Sequence, residues 1–311
     1  MKKHSKKTIF LFIAVFSIAI ASMLSCASYL YNNFIEGLRK DANVTIKSID
    51  IPDFKIVYAE GGTGDTIIMV HGFGANKDLA WLKMAKYLTP NYRVIIPDLP
   101  GFGDSSKPEN AKYNHMSQVE RLHLFAKELK LTKFHLVGNS MGGAIVGIYA
   151  ADYPEMVTTL ALFDSSGVKS PIKSELFLLV GKGINPLIVK DVNDFDKYLE
   201  FNYLKPPQLP SSMKQYMTEK AVAAGPFNKK IWKDLGADSL MLESKLNKIT
   251  APTLIVWGDS DKLIHISSVP ILEKNIKNSK SVIMKECGHL PMMEKPAETA
   301  SIYQDFLKEQ K

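Results

Sequence analysis

Eight short β-rich runs, apolar residues at helical spacing between them, and one long interruption predict an α/β protein. Its mostly parallel central sheet should carry helices on both faces. The interruption, 167–250, is expected to be a helical insertion after the sixth strand.

In chain order, Val44 to Ile49 and Phe54 to Ala59 predict two strands around the turn residues Ile51-Pro52-Asp53, and Gly61-Gly62-Thr63-Gly64 marks a second turn. Six runs follow: Ile67 to Val70, Val94 to Ile96, Phe134 to Val137, Thr159 to Phe163, Leu254 to Trp257 and Val282 to Met284. Strands covered on both faces take this continuously apolar form. Helices are expected around Leu82, Ala85 and Leu88, around Val119, Leu122, Phe125 and Leu129, and around Ala144, Ile145, Ile148 and Tyr149. From Gly167 to Thr250 no buried strand is evident, and the stretch contains helical patterns, the turn cluster Lys205 to Pro210, and Met213, Met217 and Met241. It is too long for a loop. Phe177, Leu178, Leu179 and Val180 within it suit either core or a lipid-facing surface.

At 311 residues and 46% apolar content the chain can bury a sizeable core. Its two cysteines, Cys26 and Cys287, form no C-x-x-C pair, which argues against a disulfide framework and against structural zinc. Of the net charge of +7, Lys2, Lys3, Lys6 and Lys7 supply four, and the remainder is scattered, so no nucleic-acid partner is expected. There is no Walker A loop, no G-x-G-x-x-G after the first strand and no H-E-x-x-H, so neither a metal nor a nucleotide or nicotinamide cofactor is implied. No obligate protein partner is evident.

The run from Thr8 to Ile35 carries no charged side chain and follows the lysine cluster. As a helix, Ile9 to Leu30 would span about 33 Å, enough to cross a hydrocarbon core of roughly 30 Å. The positive-inside rule then places residues beyond 35 outside the cytoplasm, with Tyr29 and Tyr31 at the far interface. Residues 1–35 are thus expected to be an uncleaved anchor, a lipoprotein signal ending at Cys26, or a cleaved signal peptide.

Chemistry is concentrated at Gly138-Asn139-Ser140-Met141-Gly142, a G-x-S-x-G between an apolar strand and a helix expected near Gly143. Glycines on both sides suit a cramped turn that exposes a serine hydroxyl at a helix N-terminus. A serine nucleophile needs a base, and the base needs a carboxylate to fix its tautomer. Asp261 follows the run Leu254 to Trp257, and His289 follows the next run, within Cys287-Gly288-His289. Asp259 and Asp164 are rival acids, His265 is a rival base and Cys287 a rival nucleophile. His4 lies in the basic tail, and His115, His123 and His135 suit packing or surface roles. Oxyanion donors are expected from the backbone N–H groups of Met141 and of Phe73 in His71-Gly72-Phe73-Gly74, with Gly72 as the alternative and His71 bonded within the loop.

These motifs, together with Asp98 to Ser106, resemble the α/β-hydrolase superfamily from about Ile56 to Phe306. Asp98 looks like a family turn residue. Within the superfamily the chain is similar to bacterial lipases and membrane-anchored monoacylglycerol lipases, in His71 to Asp78, Gly138 to Gly143 and Lys205 to Pro210. The resemblance implies an α/β-hydrolase core, 44–166 and 251–308, with 167–250 as a cap shaping an acyl pocket. It implies a carboxylic-ester hydrolase acting on lipid esters, with Ser140 as nucleophile, His289 as general base and acid, and Asp261 as the orienting acid. C–C bond hydrolases, thioesterases and perhydrolases use the same triad, and a non-catalytic binding protein on this fold is a further alternative. In dehalogenases and epoxide hydrolases an aspartate stands where Ser140 does.

Overall fold

The computed structural model describes residues 27–310. The Thr8–Ile35 segment therefore lies mostly outside the described residues. Its end, 27–35, is helical, part of α1, described over 27–41, which packs on the rest of the molecule. Ala27 and Ile35 are buried, Arg39 forks onto Asp78 with two 2.7 Å bonds, and the Tyr31 ring lies 5.3 Å from Tyr216. Tyr31 is thus placed against the insertion, whereas Tyr29 is largely exposed. No helix among the described residues is long and apolar enough to cross a membrane.

Eight strands form one sheet, in the order β1-β2-β4-β3-β5-β6-β7-β8. They are β1 (Val44–Ile51), β2 (Phe54–Gly61), β3 (Thr66–Val70), β4 (Arg93–Pro97), β5 (Phe134–Asn139), β6 (Val157–Phe163), β7 (Thr253–Gly258) and β8 (Ser279–Met284). All eight expected strands are present. β1 and β2 are antiparallel about a two-residue turn at Pro52-Asp53, since Ile51 still pairs with Phe54. Asp53 takes the left-handed backbone (φ 66°) that an aspartate tolerates better than a branched residue. From β4 to β8 every pairing is parallel.

Both faces of the sheet are covered from β3 to β7, which is why those strands are buried at nearly every position, whereas β1 leaves most of its residues exposed. Ile68 and Val70 of β3 belong to the core on one face, while Ile67 and Met69 belong to the core on the other. Helices α3 (His115–Glu128), α4 (Met141–Asp152) and α8 (Val269–Asn275) cover the first face; α2 (Lys77–Leu88) and α10 (Pro296–Glu309) cover the second. Asn76 caps α2, its side chain accepting the N–H groups of Asp78 and Leu79. Helix α4 starts at Met141, two residues earlier than expected, and α10 had no counterpart in the sequence reading.

Between β6 and β7 the chain is helical, with α5 (Glu175–Val180), α6 (Val192–Asn202) and α7 (Ser211–Gly236). Helix α5 buries none of its residues, and Phe177 and Leu178 are more than half exposed, which corrects the core alternative for Phe177 to Val180. The short helix α9 (Pro291–Glu294) follows β8.

Candidate active site

Strand β5, buried at every residue, runs directly into Ser140, whose φ of 57° and ψ of −121° lie outside the usual regions for a residue with a side chain. Such backbone costs of order 1–3 kcal/mol and persists only where the surroundings enforce it. Here they do. A Cβ on Gly138 would stand 2.4 Å from the carbonyl oxygen of Gly142, and one on Gly142 would stand 2.4 Å from that of Val70. The turn itself is clamped: the Ser140 N–H donates to the Phe163 carbonyl (3.0 Å), and the Ser140 carbonyl accepts the N–H groups of Ala144 (3.2 Å) and Ser166 (3.0 Å).

His289 and Asp261 meet on the loops that follow β8 and β7. His289 Nδ1 donates to Asp261 Oδ2 at 2.8 Å, and Asp261 Oδ1 accepts the N–H groups of Leu263 (2.8 Å) and Ile264 (3.1 Å). With Nδ1 carrying the hydrogen, Nε2 is the basic nitrogen, and it is buried without a partner. The two loops touch through backbone: a Cβ on Gly258 would overlap the Gly288 carbonyl oxygen at 2.0 Å. Asn139, next to Ser140, donates from Nδ2 to the His289 carbonyl (3.1 Å) and so ties the serine turn to the histidine loop.

The rivals lie elsewhere or are otherwise engaged. Asp259 accepts from the Ser260 hydroxyl (2.9 Å) and from the Cys287 N–H. His265 caps a short turn, Nδ1 accepting the Ser267 N–H (3.1 Å). Cys287 is fully buried, and burial pushes its thiol far up, so it holds no ready thiolate. His115 binds Asp238 (2.8 Å), His123 stacks on Tyr153 and His135 meets the Thr159 hydroxyl (2.9 Å). Asp164 is the exception: it is buried within the same cluster as Asp261 and His289.

The loop carrying Phe73 lies beside the serine, since a Cβ on Gly72 would come 3.1 Å from Ser140 Cβ. His71 braces this loop, with Nδ1 donating to the Gly72 carbonyl (2.8 Å) and Nε2 accepting the Leu99 N–H (3.0 Å). Burial holds its imidazole below the usual histidine range and so keeps it neutral, and with both ring nitrogens bonded it has none free to act as a base. Among the described residues, the N–H groups of Phe73 and Met141 are not drawn into the surrounding backbone hydrogen bonds. Asp98 is a turn organiser, accepting the N–H groups of Lys77 (2.6 Å) and Asp104 (2.8 Å).

In the same loop, the Phe73 ring meets Phe102 (6.0 Å) and Trp232 of α7 (5.3 Å). Trp232 also lines a cavity of about 350 Å³ with Val180, Ile184 and Ile188, and Lys190 and Lys229 stand at the same cavity. Two further residues, neither marked by any motif, fasten the insertion to the histidine loop. The Asn202 carbonyl accepts the His289 N–H (3.2 Å). Glu294 accepts the N–H groups of Leu204 and Gly288, each at 2.9 Å. Burial pushes the Glu294 carboxyl up against the lowering effect of these bonds.

Comparison with known proteins agrees with this fold. A family model described as alpha/beta hydrolase fold matches residues 65–182 and 193–296. Lipase 1 of Psychrobacter immobilis is 38% identical over 308 residues, covering 95% of this chain and 95% of its own. Human monoacylglycerol lipase ABHD6 is 30% identical, with 93% of this chain and 89% of its own covered. Among solved structures, a membrane phospholipase A described as a bacterial virulence factor superposes with a TM-score of 0.91 at 41% identity, covering 98% of this chain and 99% of its own.

Proposed function

As a member of the α/β-hydrolase family and a carboxylic ester hydrolase of lipid esters, this chain needs a nucleophile, a base and an oxyanion site, and we propose that Ser140, His289 and the N–H groups of Phe73 and Met141 supply them. The observation that carries this reading is the 2.8 Å bond from His289 Nδ1 to Asp261, which leaves a basic, unpartnered Nε2 on a loop tied to the serine turn.

Ser140 Oγ attacks the ester carbonyl as its proton passes to His289 Nε2, and Asp261 stabilises the imidazolium. The two backbone N–H groups hold the oxyanion, with the N-terminus of α4 adding its positive dipole end. His289 then protonates the departing alcohol as the tetrahedral intermediate collapses to an acyl-enzyme. In the second half, water gives a proton to His289 and attacks the acyl carbon; the proton returns to Ser140 as the fatty acid leaves.

The insertion acts as a cap, 167–250, whose Trp232 ring against Phe73 borders the path for the acyl chain. Acylglycerols are the first substrate class. The likeness to a phospholipase A supports glycerophospholipids as a second. The N-terminal segment holds the enzyme at the membrane, with the catalytic part outside the cytoplasm; protease treatment of intact and permeabilised cells tests that orientation.

Ser140→Ala is expected to lower hydrolysis of monoacylglycerols and p-nitrophenyl esters by about 10³-fold or more, with an unchanged circular dichroism spectrum. Wild-type enzyme inactive on every ester, or a variant as active as wild type, would refute the reading.

A further inference from the structure

Asp164 directly follows β6, with a positive φ of 44°. It is wholly buried. Its Oδ1 accepts the Gly258 N–H at 2.9 Å, but no N–H or O–H reaches its Oδ2. One carboxylate oxygen from Asp164, one from Asp261 and one ring nitrogen of His289 all lie within 4.8 Å of one another. Two carboxyl groups and an imidazole therefore share one pocket.

Two carboxylates this close and shielded from water do not both ionise. Asp261 accepts three hydrogen bonds, from Leu263, Ile264 and His289, whereas Asp164 accepts one. The negative charge settles where the donors are. The proton then belongs on Asp164 Oδ2, the oxygen that no donor reaches, and it converts an orphan acceptor into a donor facing Asp261.

We propose that Asp164 is a positioning residue that stays protonated and donates a hydrogen bond to Asp261, completing the contacts that aim the carboxylate at His289. Asp164 then stands behind the reacting groups, acting on His289 only through Asp261. Burial and the charge on Asp261 push the Asp164 carboxyl well above the usual carboxylate range, with Glu294 acting the same way and the Gly258 N–H opposing. The other titratable groups at this pocket are His289, Glu294 of α9 and the protonated thiol of Cys287. The proposal rests on the catalytic roles given above for Asp261 and His289.

The test uses the whole chain with Asp164→Asn and Asp164→Gly. Asparagine keeps a neutral donor in place and accepts positive φ, and glycine removes the carboxyl without backbone strain. Asp164→Asn should retain kcat within about threefold, and the acidic limb of its kcat/KM profile should not move. Asp164→Gly should lose kcat by about 10- to 100-fold, the usual scale for outer-shell partners, with KM nearly constant. Independently of activity, the infrared difference spectrum between wild type and Asp164→Asn at neutral pH should show the carbonyl stretch of a protonated carboxylic acid in the wild type. Absence of that band overturns the proposal, as does an acidic limb displaced to lower pH in Asp164→Asn, the mark of a second negative charge removed from beside His289. An Asp164→Gly enzyme with wild-type kcat overturns it too. Should no ester be cleaved by any form, the catalytic reading falls and the infrared band still decides the protonation.

Discussion

Strands β5 and β7 bury every residue, whereas α5 in the insertion buries none and the insertion's own apolar cluster contains only Val189, Phe195 and Leu199 as buried members. The difference follows the division of chemical labour. The serine turn and the histidine loop must be held to fractions of an ångström, and close-packed backbone does this. A pocket for a flexible acyl chain tolerates a looser wall. The insertion is nevertheless fastened where it matters to the chemistry, through Asn202 and Glu294 at the histidine loop.

The contrast can be broken first at the serine turn. Gly142→Ala places a Cβ within 2.5 Å of two backbone carbonyl oxygens, so neither can yield by a rotamer change. It should cost about 3 kcal/mol or more of stability and abolish ester hydrolysis, as urea unfolding and activity assays will show. A matched pair sharpens the comparison: Leu162→Ala in β6, where the side chain is fully buried, should cost about 2–5 kcal/mol. Phe177→Ala in α5, 59% exposed, should stay within about 0.5 kcal/mol. Similar losses for the two would erase the distinction.

His71 gives a pH-dependent version. Its folded-state pKa is lowered, chiefly by burial, so the unfolded chain binds more protons. The stabilisation is full above about pH 6.5, the unfolded value, and is lost as pH falls through the lower folded value. His71→Gln should be less stable at neutral pH yet flatten the fall of melting temperature below pH 6.5; an unchanged slope would show that His71 is not the group responsible. The smallest effect belongs to the cavity wall. Trp232→Ala should raise KM for long-chain esters by about three- to tenfold while leaving short-chain esters nearly unchanged, and an equal effect on both would place the acyl chain elsewhere.

Local patterns made much of this molecule legible. Most strands carry a short apolar run, the glycines of the serine turn are visible as residue types, and Asp261 and His289 stand directly after two such runs. What the pattern missed depends on side chains meeting across the fold. Asp164 read as a rival acid, because nothing in its neighbours tells that its carboxyl shares a pocket with Asp261. Glu294 and Asn202 gave no signal, since their partners lie far away in sequence or are bare backbone. Phe177 to Val180 misled in the usual way: four apolar residues in a row do not say whether anything covers them.

The Glu243 N–H donates to the Gly167 carbonyl at 3.0 Å, so the 168–242 part of the insertion departs and returns at one place even though β6 and β7 themselves run parallel. Its two attachment points stand as close as the ends of a hairpin. A segment rooted this way can lengthen, shorten or be exchanged for another while every strand keeps its neighbour and register. The hydrolytic machinery is in that sense a socket, and a change of substrate requires a new fitting rather than a new enzyme.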